Sequence, residues 1–150
     1  MTESNVETDK EALSAWYKSV LDAVVKDMIK IGAVTGAAVE ASPVWAMPYE
    51  ILIAKVWGAA QKSQFIWTIS GNSVFTDHIA GSMAATPKDV ARHFALKWQL
   101  NADQLLAQAK NTPTDEGKEV DTELYSKQLI QYAESLYGLT DRDDIWKEVP

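Results

Sequence analysis

The sequence contains no cysteine, and that absence excludes whole classes of functional site. Disulfide frameworks, thiolate zinc sites and cysteine nucleophiles all require this residue. A chain of 150 residues can still bury enough apolar surface to fold without a metal or a disulfide. We therefore expect a self-sufficient core and no bound cofactor.

Basic residues are also scarce, with 14 Lys and Arg against 21 Asp and Glu, which gives a net charge of -7. That charge opposes the phosphate backbone of nucleic acids, and no cluster of Lys or Arg forms a local basic patch against it. We predict no nucleic-acid binding. Anionic membranes are disfavoured for the same reason, whereas a basic protein partner would be attracted.

Long apolar runs are missing as well. The longest candidate, Ile51 to Ala60, is interrupted by Lys55 and is shorter than the roughly 20 residues that a membrane-spanning helix needs. The N-terminal residues are acidic and polar, whereas a secretory signal has a basic start and an apolar run. The sequence therefore predicts a cytoplasmic protein without a membrane segment, and it leaves the oligomeric state open.

The clearest helix signal is a continuous stripe of apolar residues from Leu13 to Ile31, spaced three or four positions apart. Thr8 or Asp9 is suited to cap the start of this helix. Residues 1–8 are polar and lack periodicity, so we interpret them as a disordered tail.

Further helices are predicted in the second half of the chain. Thr86 followed by Pro87 is typical of a helix start, with Thr as the N-cap and Pro at the first helical position. A second amphipathic pattern covers Leu124–Leu136. The closing segment Asp141–Trp146 predicts an acidic helical turn that packs its last two residues against the body of the protein.

The stretch Gln64–Ile79 combines a strand pattern with the densest group of polar residues. Phe65, Trp67 and Ile69 alternate with residues that are also partly apolar, which predicts a strand covered on both sides. Gly71–Ser73 then predicts a turn, because Gly and Asn tolerate a positive φ angle.

The region before that strand is harder to assign. Val34–Ala41 and Val44–Met47, joined by a turn at Ser42-Pro43, predict a hairpin. Pro48–Gln61 has helical spacing and predicts a helix, although its β-branched start at Ile51 leaves an extended first half open. The order of elements predicts one globular α+β domain over residues 9–150, with a small sheet of about three strands, a hairpin plus the central strand, covered by four or five helices.

Several runs of the sequence resemble a known family. They are Pro43–Pro48, Trp67–Asn72, Thr76–Ile79, Ala133–Leu136 and Asp143–Trp146. Together they resemble an uncharacterised bacterial family that carries a domain of unknown function. The resemblance extends from the first helix to Trp146 and implies a fold and a length, but no assigned activity. In that family the turn after the central strand has Asp where this chain has Asn72, so a ligand or base at that position would be missing here.

The candidate ligand or partner site lies around that turn. It comprises Trp67, Ser70, Asn72, Asp77 and His78. Asp77 is adjacent to His78, and a carboxylate near an imidazole is common in acid–base catalysis. Adjacent side chains seldom bond each other productively, so we favour a structural interpretation in which Asp77 caps a short helix and His78 is half-buried.

Two further kinds of site, a metal site and a hydrolase active site, are disfavoured by the spacing of the residues that they would need. A metal site made of Asp77, His78 and His93 lacks the usual HxH or HxxxH spacing of paired imidazole ligands. A hydrolase nucleophile at Ser70 would need glycine two residues before and two residues after it, and those positions hold Thr68 and Asn72.

The chain has six tryptophans, which is many for its length. Three of them, Trp45, Trp67 and Trp98, could line an aromatic pocket. We favour the interpretation that they belong to the core, with partners for their indole N–H groups.

These observations favour a non-catalytic protein-interaction or regulatory module. A regulator, or a neutraliser of a basic toxin in the manner of an immunity protein, would fit the acidic charge. The alternative is a small enzyme or small-ligand binder whose site lies at the turn after the central strand.

Overall fold

The computed structural model describes the backbone of residues 3–36, 38–111 and 116–149. Within these ranges the protein is α+β, with three helices and one four-stranded sheet. The helices are α1 (Glu3–Lys30), α2 (Pro87–Asn111) and α3 (Glu116–Thr140), and the strands are β1 (Val39–Met47), β2 (Ile51–Gly58), β3 (Ile66–Ser70) and β4 (Asp77–Ala80). The α+β class is therefore confirmed, with one more strand and fewer helices than predicted.

The chain divides into two compact units. The first contains α1, the sheet and the residues from Trp146 onward, and the second contains α2 from Lys88 and α3 up to Ile145. That the two units together form a single domain stays a prediction.

The sheet is a meander in which each strand pairs antiparallel with its neighbour, in the order β1-β2-β3-β4. One face packs against α1 through Val24, Met28, Val34 and Val56, with partly buried apolar side chains around them. Because β2 is central and nearly all of it is buried, it needs apolar side chains on both faces.

The predicted stripe on α1 is present, but the helix is longer than predicted. Its backbone is helical from Glu3, so Thr8 and Asp9 lie inside the helix instead of capping it. That residues 1–8 form a disordered tail stays a prediction. Residues 1–2 lie outside the described residues.

The predicted hairpin turn at Ser42-Pro43 is wrong, because both residues lie within β1. The register shifts between Pro43 and Trp45, which marks a bulge. β1 is an edge strand, and an edge strand with a bulge tolerates a residue that lacks a backbone N–H donor.

The predicted helix over Pro48–Gln61 is also wrong, since most of this stretch is β2. The extended alternative for its first half is the correct one. The β-branched residues Ile51, Ile53 and Val56 are each at most 4% exposed between the flanking strands, and this burial favours the extended form. Tyr49, with a φ of 69°, turns the chain from β1 into β2.

The predicted central strand is confirmed as β3. The predicted helix cap at Asp77 is wrong, because Asp77 is the first residue of β4, and its backbone pairs with β3. The predicted helix start is confirmed, since α2 begins at Pro87.

The second unit is built on the apolar faces of two long helices. Phe94 and Trp98 stack one helical turn apart on α2, with ring centroids 5.9 Å from each other. Leu129, Ala133 and Leu136 are buried on α3, at the spacing that predicted this helix. The apolar stripe of α3 therefore forms a buried face as expected, and α2 also buries an apolar face.

Candidate functional site

The predicted acid and imidazole pair is divided between two faces of the sheet. Asp77 lies opposite Ile69 and His78 opposite Thr68 in the β3–β4 register, and consecutive side chains of a strand point to opposite faces. The Asp77 carboxylate accepts a hydrogen bond from the backbone N–H of His78, at 2.8 Å. This local bond is typical of a carboxylate that supports backbone geometry.

The polar residues of the turn connect two neighbouring hairpin ends. The Asn72 amide donates to the backbone carbonyl of Tyr49 at 2.8 Å, and the Ser73 hydroxyl bonds the Glu50 carboxylate. The hydroxyls of Ser70 and Thr76 bond each other at 2.8 Å. The polar cluster therefore joins the turn between β1 and β2 to the turn between β3 and β4.

Gly71 is required where these two turns meet. Its φ of 142° is a conformation that residues with a side chain rarely adopt. A Cβ atom at this position would overlap the carbonyl oxygen of Glu50. The close approach of the two backbones therefore depends on glycine.

Trp67, the aromatic member of the predicted site, belongs to the core. It is 1% exposed, and its indole N–H donates to the backbone carbonyl of Ala84 at 3.0 Å. Trp45 is equally buried and stacks on Trp146 with ring centroids 4.3 Å apart. Trp98 is also buried, so all three tryptophans have the expected core environment.

A pocket that sequence reasoning missed lies on the sheet beside Trp67. It has a volume of about 480 Å³, and we name it the Lys55 pocket. Its lining includes Val44, Lys55, Trp57, Lys62, Phe65 and Glu148. None of the residues of the predicted site lines it. The feature of the sequence that could have indicated this pocket is Lys55, which interrupts the apolar run from Ile51 to Ala60.

Each lysine of this pocket is held against aromatic rings. The Lys55 ammonium is 4.6 Å from the ring centroid of Phe65 and 5.0 Å from that of Trp67. The Lys62 ammonium is 5.4 Å from the ring centroid of Trp57. Such cation–π contacts fix the direction of a lysine side chain without neutralising its charge.

A second hollow, an open groove of about 710 Å³, lies between α1 and β1. Its charged lining residues alternate in sign along α1, as Lys18, Asp22 and Lys26. Burial raises the pKa of Tyr17 above its ordinary value. None of the five predicted site residues lines this groove either.

Neither a cluster of metal ligands nor a helix suited to span a membrane is present in the part of the chain that the structure describes. No three His, Asp or Glu side chains in that part come together as metal ligands. None of its helices combines the length and apolar character needed to cross a bilayer.

The model of a protein family, described as a domain of unknown function (DUF4826), matches residues 10–146. The chain belongs to the DUF4826 family. This membership confirms the resemblance to an uncharacterised domain family, and it assigns no activity to this DUF4826 protein. A search of curated proteins and a search of solved structures each found no match.

Proposed function

We propose that this DUF4826 protein is a non-catalytic interaction module that binds a basic partner protein. The observation that carries the proposal is the set of hydrogen bonds made by the polar residues at the end of β3 and in the turn after it. Asn72 and Ser73 bond the preceding turn, and Ser70 bonds Thr76, so these groups stabilise the scaffold. Asp77 bonds the backbone beside it. Polar groups engaged in this way suit a rigid binding module better than a catalytic centre.

The charge of the protein supports a basic partner. A net charge of -7 attracts basic proteins over several ångströms and accelerates their association. Exposed carboxylates occur on both units, for example Asp22 and Asp27 on α1 and Asp103 on α2. A cytoplasmic regulator, or a neutraliser of a basic toxin, is the class of protein that we propose.

The test is affinity capture with three baits: the natural chain and two variants that each lose four exposed carboxylates. One variant replaces Asp9, Glu11, Asp22 and Asp27 with their amides, and the other replaces Asp103, Asp121, Glu123 and Glu134. The variants are matched in charge, so they differ only in which unit is altered.

We expect the natural chain to capture a basic protein at low salt and to release it as the salt concentration rises. One of the two variants should lose most of this capture, which would locate the contact on one unit. Capture of the same proteins by all three baits at every salt concentration, or of none by the natural chain, would contradict the proposal.

A further inference from the structure

Lys55 occupies an unusual position for a cation. It lies in the interior strand β2 between Ala54 and Val56, which are 1% and 0% exposed, and it is itself half-buried. Its direct neighbours across the sheet are Ser42 on β1 and Trp67 on β3. An ammonium that loses hydration in such surroundings needs compensation.

The compensation within the described part of the chain is incomplete. The rings of Phe65 and Trp67 offer their faces to the Lys55 ammonium, but they carry no net charge. Neither Lys55 nor Lys62 has a carboxylate of a described residue within 4.0 Å. Glu148 also lines the pocket, but it is exposed and can keep its hydration.

The shape and lining of the pocket define what would complete it. Its volume of about 480 Å³ falls within the usual range for small-molecule sites. The indole of Trp57 and the ring of Phe65 provide flat apolar walls beside the two ammonium groups. A ligand that matches these features has a flat apolar body and one negative charge.

We propose that the Lys55 pocket binds a small organic anion with an aromatic or conjugated body. The anionic group, a carboxylate or a group of similar charge, pairs with the Lys55 ammonium, and the flat body lies against Trp57 and Phe65. Lys62 attracts the anion at the exposed edge of the pocket, and Glu148 opposes it. This site is independent of the proposed protein partner, so either proposal can fail without the other.

Naphthoate is a suitable probe because it carries one carboxylate on a flat aromatic body. Naphthalenemethanol has the same body without the charge and is the matched neutral probe. Binding is followed by the backbone and indole N–H signals in a proton–nitrogen NMR correlation spectrum of the full chain. A Trp57→Phe variant identifies the indole signal of Trp57 among the six tryptophans.

We expect naphthoate to shift the Trp57 indole signal until it saturates, and to bind at least about tenfold more tightly than naphthalenemethanol, as a charge-assisted hydrogen bond implies. Lys55→Met keeps the apolar stem and should abolish that preference. Lys62→Met, at an exposed position, should weaken naphthoate about threefold, and Glu148→Gln should strengthen it by a similar factor, as expected for partly screened charges. Lys127→Met on α3 is the control and should change nothing.

The proposal is overturned if naphthoate causes no saturable shift at Trp57, or if both probes bind natural protein equally. It is equally overturned if Lys55→Met retains the preference for the anion. Should Lys55→Met fail to fold, Lys62→Met and Glu148→Gln decide the question, because unchanged naphthoate affinity in both would exclude charge recognition in this pocket.

Discussion

The polar turn after β3 and the Lys55 pocket belong to the same unit, but they differ in whether their polar groups have polar partners within the protein. In the turn, Asn72, Ser73 and Ser70 bond groups of the same scaffold. In the pocket, the Lys55 ammonium contacts aromatic rings and has no carboxylate among the described residues within ion-pair distance. A dense group of polar residues in a sequence therefore indicates a turn as readily as a site, whereas an uncompensated charge indicates a missing partner.

We expect substitutions in the turn to reduce stability and leave anion binding intact. Substitutions in the Lys55 pocket should instead alter anion binding and leave stability almost unchanged. The largest effect should come from Gly71→Ala. The new Cβ atom would meet the carbonyl oxygen of Glu50 in a strained conformation, so we expect a loss of about 3 kcal/mol in the free energy of unfolding, measured by urea denaturation.

Gly138→Ala is the control for that substitution. Gly138 lies within α3 and does not have a positive φ, and a Cβ atom added there would meet no neighbouring atom within 4 Å. Alanine is favoured over glycine in a helix, so this variant should gain up to about 1 kcal/mol in the free energy of unfolding. Equal effects of the two substitutions would show that the contact between the two turns contributes little.

A smaller loss is expected for Asn72→Ala, which removes the hydrogen bond to the Tyr49 carbonyl. Because the bond is exposed, its loss should cost about 1 kcal/mol, again measured by urea denaturation. Naphthoate affinity should stay at the natural value. A weakened affinity at unchanged stability would mean that the turn, as first predicted from the sequence, takes part in ligand binding.

For Lys55→Met we expect a change in the free energy of unfolding of less than about 1 kcal/mol, in either direction. The variant loses two cation–π contacts but no longer holds a half-buried charge. Thermal denaturation of the natural and variant chains measures the difference. A loss several times larger would assign Lys55 a structural role like that of the turn.

The smallest effect on stability is expected for an exposed ion pair in the second unit. This pair belongs to neither the turn nor the Lys55 pocket, so it serves as a reference for both. A hydrogen bond from Arg142, at 3.2 Å, holds the pKa of the Asp144 carboxyl below its usual value. Because the folded pKa is lowered, this pair stabilises the protein above the ordinary pKa of Asp144, and the contribution disappears as the pH falls through the lower folded value.

Arg142→Gln should therefore return the pKa of Asp144 toward its ordinary value, as measured by an NMR titration of the carboxyl group. At neutral pH the stability should be almost unchanged, because exposed pairs are well solvated. An Asp144 pKa that stays low in the variant would assign the shift to the backbone instead of to Arg142.

The parts of the fold that could be predicted are those with a clear local signal in the sequence. The stripe on α1, the strand β3 and the Pro87 start of α2 each follow from local patterns. β2 could not be recognised in the same way. A strand buried on both faces has no period-two pattern, and Leu52, Lys55 and Val56 happen to fall at helical spacing.

Less of the candidate site could be predicted from the sequence, because the contacts that its residues make are with residues distant along the chain. Asn72 and Ser73 bond residues 23 positions earlier in the chain, and local sequence does not show those partners. Lys55 was visible as an interruption of an apolar run, but its surroundings depend on sheet register. Only the pairing with Trp67 and the approach of Phe65 show that it borders a pocket.

The most direct test of the central claim measures stability and naphthoate affinity on the same samples of Asn72→Ala and Lys55→Met. We predict that Asn72→Ala lowers the urea midpoint and binds naphthoate normally, and that Lys55→Met keeps the midpoint and loses about tenfold in affinity. The opposite assignment, with affinity lost in Asn72→Ala and retained in Lys55→Met, would contradict the account.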